Sequence, residues 1–228
     1  MNKIFIPARK PADWKSLLAE PDKHWKTGYS AKTLAYCWQE AKGFPECVKK
    51  VFKKSEIELF RNIELLLAFP EYQVVLPGGA RPSQNDIFIL AKGNNQLVSI
   101  MVEGKVSEPF GNTIAEWRKH NSEGKDIRLK FLLEELGLEE NEQIDSVRYQ
   151  LLHRTTSAII EAKKFKAENA LMLVHSFSRS DEWFEDYIQF LGLFGLRAET
   201  DSLVLAKNIN GIDLLENQRI SSRPLDKN

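Results

Sequence analysis

The sequence predicts an α/β protein with a mixed central sheet flanked by helices, built as an α-β-β-β-α-β core with an N-terminal helical extension and a C-terminal β-hairpin. Three observations predict it. Short apolar runs bounded by Gly, Pro and Asn cluster between residues 72 and 106, a long helical pattern at 146–166 leads into a buried-strand pattern at 170–177, and Asn210-Gly211 separates two further apolar runs. Helices and strands in this order pack as helical layers on a sheet. At 228 residues and 43% hydrophobic, the chain can bury one substantial core. The expected organisation is an extension over 1–54, a core over 55–200 with an insertion at 107–145, and a hairpin with tail over 201–228.

Taken in order, residues 29–42 (YSAKTLAYCWQEAK) read as a helix opened by Ser30 and stopped by Gly43. Residues 55–68 (SEIELFRNIELLLA) read as a stronger helix, with Ser55 and Glu58 spaced as a capping box. YQVVL (72–76), DIFILA (86–91) and QLVSIMVEGKV (96–106) read as three strands, separated by the turn signals PGGARPSQN and KGNN. The insertion carries one helix, 126–136, and becomes rich in Glu toward its end. A helix over 146–166, a strand over 170–177 and an amphipathic helix over 181–194 follow, and Asn210-Gly211 within LVLAKNINGIDLLE marks the hairpin.

Composition narrows the function classes. No segment approaches the roughly 20 apolar residues that span a bilayer, and the start, MNKIFIPARKPADW, lacks the apolar stretch of a secretory signal, so the expected compartment is the cytoplasm, with no membrane partner. Cys37 and Cys47 have neither CxxC spacing nor nearby paired histidines, so they read as reduced, partly buried thiols. His24, His120, His153 and His175 are dispersed and read as structural or surface residues. PGGARPS lacks the pattern of a nucleotide-binding loop and reads as a turn delivering Asp86. Net charge is zero, yet residues 1–54 hold twelve Lys or Arg against five Asp or Glu, whereas 123–145 hold eight acids against three bases. The basic flank either faces solvent or faces a phosphate backbone. Its aromatics, Trp14, Trp25, Tyr29, Tyr36 and Trp38, are expected to pack the extension onto the core.

The chemistry lies in the second and third strands. Along 96–106, alternation puts Leu97, Ser99, Met101, Glu103 and Lys105 on one face and Val98, Ile100, Val102, Gly104 and Val106 on the other. Glu and Lys at adjacent same-face positions of a buried strand must pair or bind something, because an uncompensated buried charge is costly. Asp86 opens the preceding strand. Two carboxylates at neighbouring strand ends can share a hard cation, and a lysine beside them can orient a water toward phosphorus. Glu40-Ala-Lys42 and Glu161-Ala-Lys163 fall on expected helices and Glu123-Gly-Lys125 in an expected polar loop, whereas Glu103-Gly-Lys105 sits on a strand.

Pro82-Ser-Gln-Asn-Asp86, sixteen residues, and then Glu103-Gly-Lys105, set in this order of elements, resembles the PD-(D/E)XK nuclease superfamily, of restriction-endonuclease-like fold, over roughly residues 55–178. Here the Pro and Asp are not adjacent. The chain also resembles an uncharacterised bacterial family of this fold in which a segment like HWKTGYSAKTLAYCW precedes the core. The resemblance implies a magnesium- or manganese-dependent nuclease in which Asp86 and Glu103 bind the metal and Lys105 acts near the attacking water. It also implies a carboxylate from the first helix. Of Glu56, Glu58 and Glu64, only Glu64 falls within the apolar stripe without a capping role, so it is the candidate. From the helix at 146–166, Gln150 and Arg154 lie four apart on one face, a spacing that resembles a second superfamily signature, with Arg154 suited to a phosphate oxygen. The implied partner is nucleic acid, DNA in preference to RNA, and a homodimer is compatible. The competing expectations are a noncatalytic module of the same fold that binds nucleic acid or protein, and a purely structural Glu103–Lys105 ion pair.

Overall fold

The computed structural model describes residues 4, 8–120, 122–178, 180, 182–197 and 199–221; the end of the expected tail, 222–228, lies outside the described residues. After a 3-10 turn at Pro11–Leu17 come α1 (Pro21–His24), α2 (Ser30–Ala41), α3 (Glu46–Lys54) and α4 (Glu58–Arg61). Three long strands follow, β1 (Glu64–Val74), β2 (Ser83–Gly93) and β3 (Gln96–Lys105), then α5 (Ile114–Arg118), α6 (Glu123–Leu136), a 3-10 turn at Glu142–Ser146, and α7 (Tyr149–Phe165). The chain continues through β4 (Asn169–Ser176), α8 (Phe184–Gly192), β5 (Ser202–Ile209) and β6 (Ile212–Ser221).

The six strands form one sheet in the order β1-β2-β3-β4-β6-β5. The β1–β2–β3 meander and the β5–β6 pair are antiparallel, while β3–β4 and β4–β6 are parallel, so the sheet is mixed. Two parallel neighbours need a long crossover, and α7 supplies it between β3 and β4. Alternation then sorts the side chains. Phe88, Met101, Met172 and Leu214 face α6, α7 and α8, whereas Ile89, Ile100, Leu171 and Leu215 face α2 and α3. Each face closes its own core. Asn210 (φ 52) and Gly211 (φ 88) both adopt left-handed conformations at the β5–β6 turn, the geometry that an Asn-Gly hairpin demands. That hairpin enters the main sheet, with β6 beside β4.

Several elements differ from the expected ones. The helix expected over 55–68 is a single turn, and residues 64–74 are a strand instead. Ser55 makes no capping box; its Oγ accepts from the Ile57 N–H at 3.1 Å. The physical reason is the eleven-residue β2, whose outer edge pairs with β1 from Glu64–Lys92 to Val74–Ser83. A continuous run such as Leu65-Leu-Leu-Ala-Phe69 carries no period that separates buried strand from helix. Pro70 fits because β1 is the sheet edge, where a missing N–H costs nothing. Helix α2 does begin at Ser30, with Tyr29 at the N-cap position making no side-chain bond, and it ends on Lys42, itself left-handed (φ 51), before Gly43. The segment expected as an insertion contributes to the core: Leu129, Leu132, Leu133 and Leu136 of α6 are buried, and Arg128 pins the 76–79 turn by donating to Pro77 O (2.8 Å) and Gly79 O (3.0 Å). Glu123-Gly-Lys125 opens α6 and is not a loop.

Candidate active site

The meander register builds the site. Pro70 pairs with Ile87 and Tyr72 with Asn85, which sets Glu71 opposite Asp86; Ile87 pairs with Val102, and the same register run one step further sets Asp86 opposite Glu103. Three carboxylates thus form a row across β1, β2 and β3. Like charges directly opposed on neighbouring strands repel, so the row calls for positive charge. Two cations answer from the same side. Lys105 Nζ donates to Glu103 Oε1 at 2.7 Å, and Arg154 Nε, from α7, donates to Glu103 Oε2 at 2.7 Å. All three residues of this pairing are buried, with Glu103 2% exposed.

Supporting contacts fix the geometry. Gln150, one turn before Arg154, accepts from Lys105 Nζ at 3.0 Å. The Gly104 N–H donates to Asp86 Oδ2 at 2.7 Å. A Cβ on Gly104 would lie 3.3 Å from Leu34 of α2 and 3.4 Å from Asp86 Oδ2, so α2 packs closely over the residue between Glu103 and Lys105. Gln84 Nε2 donates to Glu71 Oε2 at 2.7 Å. Behind Arg154, Ser83 Oγ lies 2.7 Å from His153 Nδ1 and accepts from Ser157 Oγ at 2.9 Å.

The charges are unequally compensated. Burial works against the charge on Glu103, yet Lys105 and Arg154 outweigh it and hold its carboxyl below the ordinary carboxylate range. Asp86 goes the other way, pushed up to about 7 first by burial and then by the charge of Glu103. Glu71 is pushed up to about 8, by burial and then by Asp86. Three acids against two cations leave a deficit of positive charge. His153 is held well below its ordinary value by burial and by Arg154, Arg128 and Lys105, and so is neutral.

The row forms the floor of a cleft of about 540 Å³. Its walls come from Tyr29, Ser30 and Ala31 at the start of α2 and from the 108–112 segment. Glu108 joins the two walls, accepting from the Ser30 N–H at 2.9 Å and from the Val106 and Ser107 N–H groups, each at 3.1 Å. Lys105 Nζ also sits 4.9 Å from the centre of the Phe110 ring. A family model described as a domain of unknown function, DUF6946, matches residues 7–217. The chain belongs to the DUF6946 family. Comparison with curated proteins and with solved structures finds no match.

In this DUF6946 chain, Asp86, Glu103, Lys105, Gln150 and Arg154 line one cleft. Glu64 does not. It lies exposed at the first position of β1, opposite Lys92, and the acid that β1 sends to the row is Glu71, seven residues on. The signal for Glu71 was its place after Pro70 at the end of an apolar run, a position that reads as a turn until residues 64–74 are seen as one strand. Glu71 has φ 52, a left-handed kink following that proline. His153, expected to be structural or superficial, lines the cleft beside Arg154. Of the N-terminal aromatics, Trp14 and Trp38 are buried packing residues, whereas Tyr29 lines the cleft. The lysine and arginine of the described lining are Lys105 and Arg154, so the basic charge of residues 1–54 lies elsewhere.

Asp86 and Glu103, on neighbouring strands, offer hard oxygen ligands of the kind a divalent cation takes, and a carboxylate oxygen keeps a second lone pair beyond the one contact it makes; the three acids together do not close within 4.8 Å of one another. Among the described residues no helix is long and apolar enough to cross a membrane.

Proposed function

We propose that the cleft is the active site of a metal-dependent, nuclease-like phosphodiesterase acting on nucleic acid, DNA in preference to RNA. The observation that carries this reading is the row Glu71–Asp86–Glu103 with Lys105 beside it, because a structural ion pair needs one acid and not three. Asp86 and Glu103 would hold Mg²⁺ or Mn²⁺. Such an ion, when bound, polarises a phosphoryl oxygen and lowers the pKa of a coordinated water. The remaining work falls to the chain. Glu103 and Gln150 hold Lys105 Nζ in one place, from which it can orient a water toward phosphorus. Arg154 uses Nε on Glu103, leaving its terminal nitrogens for a nonbridging oxygen, with a 3.5 Å approach to Ser83 Oγ as their protein contact.

Incubating the protein with DNA and RNA in Mg²⁺ or Mn²⁺ tests this. Cleavage is expected, lowered about 10²-fold or more by Asp86→Ala and by Lys105→Ala. Undiminished cleavage by both variants would falsify the assignment. A second reading, a noncatalytic nucleic-acid- or protein-binding module, draws on the fact that both Glu103 oxygens are already held by cations. It takes precedence if calorimetry detects no divalent-ion uptake.

A further inference from the structure

The two cysteines meet on the opposite face of the sheet from the carboxylate row. Cys37 belongs to α2 and Cys47 is the second residue of α3; neither is in a disulfide and both are partly exposed. Their sulfurs and a ring nitrogen of His175, on β4, lie within 4.8 Å of one another. The composition is that of a soft-metal site, but the protons oppose it. Trp38 Nε1–H, which can only donate, reaches His175 Nδ1 at 3.0 Å. Nδ1 therefore accepts, the imidazole carries its proton on Nε2, and that N–H faces Cys47 Sγ at 3.4 Å. A metal-bound histidine has the reverse arrangement, its outer nitrogen donating and its inner one bare. Stacking on Phe177, with ring centres 4.3 Å apart, holds the ring in place.

The same arrangement favours a thiolate on Cys47. The Nε2–H hydrogen-bonds its sulfur, and its position in the first turn of α3 places it at the positive end of a helix dipole. Cys37 is the proton-keeping partner: its thiol is pushed up, first by its hydrogen bond with Cys47, then by burial and by the charges of Cys47 and Glu40. One sulfur is prepared to attack and the other to resolve.

We propose that Cys37 and Cys47 form a redox-active dithiol that reacts with hydroperoxides, with Cys47 as the attacking sulfur. The Cys47 thiolate attacks a peroxide oxygen: an S–O bond forms, the O–O bond breaks, and the departing hydroxide or alkoxide takes up a proton. Cys47, now a sulfenic acid, is oxidised by two electrons and the peroxide is reduced by two. The Cys37 sulfur then attacks Cys47, the S–S bond forms, the S–O bond breaks, and the leaving hydroxide combines with the Cys37 thiol proton as water. The bond ties α2, whose first residues line the cleft, to α3.

Treating the full-length protein with a small molar excess of hydrogen peroxide, followed by thiol counting and intact mass, tests the proposal. Both thiols should disappear with the loss of two hydrogen masses, and dithiothreitol should restore them. Cys37→Ser should trap a dimedone-reactive sulfenic acid on Cys47, whereas Cys47→Ser should leave Cys37 reduced at the same dose. Persistence of both wild-type thiols overturns the proposal, and this arm needs no substitution that might unfold the protein. Labelling of Cys37 in Cys47→Ser overturns the assigned order. Cobalt(II) titration giving a thiolate charge-transfer band that Cys47→Ser abolishes would show a metal site instead.

Discussion

Glu103 on β3 and Glu216 on β6 are glutamates on inner strands of one sheet, 2% and 0% exposed, and both face α7. Glu103 meets two cations and stays ionised. Glu216 meets Tyr187 and Thr155, and burial, only partly offset by them, pushes its carboxyl well above the usual range. Its hydrogen-bonding partner is neutral: Tyr187 Oη donates to Glu216 Oε2 at 3.2 Å and to the Asn217 carbonyl, where Glu103 has two cations. An acid that only fills a core position is neutralised by its own proton. At the cleft the chain has spent an arginine and a lysine to keep a charge, and has set two further acids beside it.

The comparison breaks most sharply at Arg154. Replacing it with Met leaves Glu71, Asp86 and Glu103 facing Lys105 alone, and stripping one partner from a buried pair costs about 3–5 kcal/mol. Urea denaturation in metal-free buffer measures the loss, and Mg²⁺ should recover part of it. A loss under about 1 kcal/mol, small on the scale of such pairs, would mean that the row is not electrostatically dependent on Arg154.

Asp86→Asn is the next largest. A ligand at 100 times its Kd stabilises by about 2.7 kcal/mol, and the variant should forfeit most of any such gain from Mg²⁺, seen as a loss of the metal-dependent rise in Tm. Without metal the sign reverses. The folded carboxyls of Asp86 and Glu71 sit at about 7 and about 8, above their unfolded values, so the stability they contribute is complete at low pH and is lost as pH rises through that window. Metal-free wild type should weaken between pH 5 and 8, and Asp86→Asn should weaken less. Parallel pH curves for the two proteins would contradict the row.

How far the sequence revealed this differs residue by residue. Strand alternation over 96–106 placed Glu103 and Lys105 on one face, and helical spacing placed Gln150 and Arg154 together, because both periods are local. Glu71 was hidden. Its strand is a continuous apolar run at a sheet edge, helical by propensity and extended only because β2 needs a partner, a tertiary cause that no local period carries. The approach of Cys37 and Cys47 to His175 was also invisible, since 128 residues separate Cys47 from the histidine and α2 and α3 must first dock on the sheet. His153 was passed over as well. The four histidines are dispersed along the chain, and only the fold shows that this one lines the cleft.

The smallest effect tests the other half of the comparison. Glu216→Gln keeps the shape of a neutral carboxyl, and its amide oxygen can accept from Tyr187 Oη as Glu216 Oε2 does. The sign follows from linkage: the folded carboxyl has a raised pKa, so above about pH 4.5, where the unfolded glutamate ionises, folding must bind a proton and stability falls as pH climbs. Gln carries no such penalty. At pH 4 the two proteins should be close in stability, both groups being neutral in the fold, and at pH 8 the variant should be the more stable by about 1.4 kcal/mol or more, the worth of a single pH unit of such a shift. Urea midpoints at the two pH values provide the measurement. A variant weaker than wild type at pH 8 would mean that Glu216 is charged in the fold and has a cationic partner, and the distinction between the two glutamates would collapse.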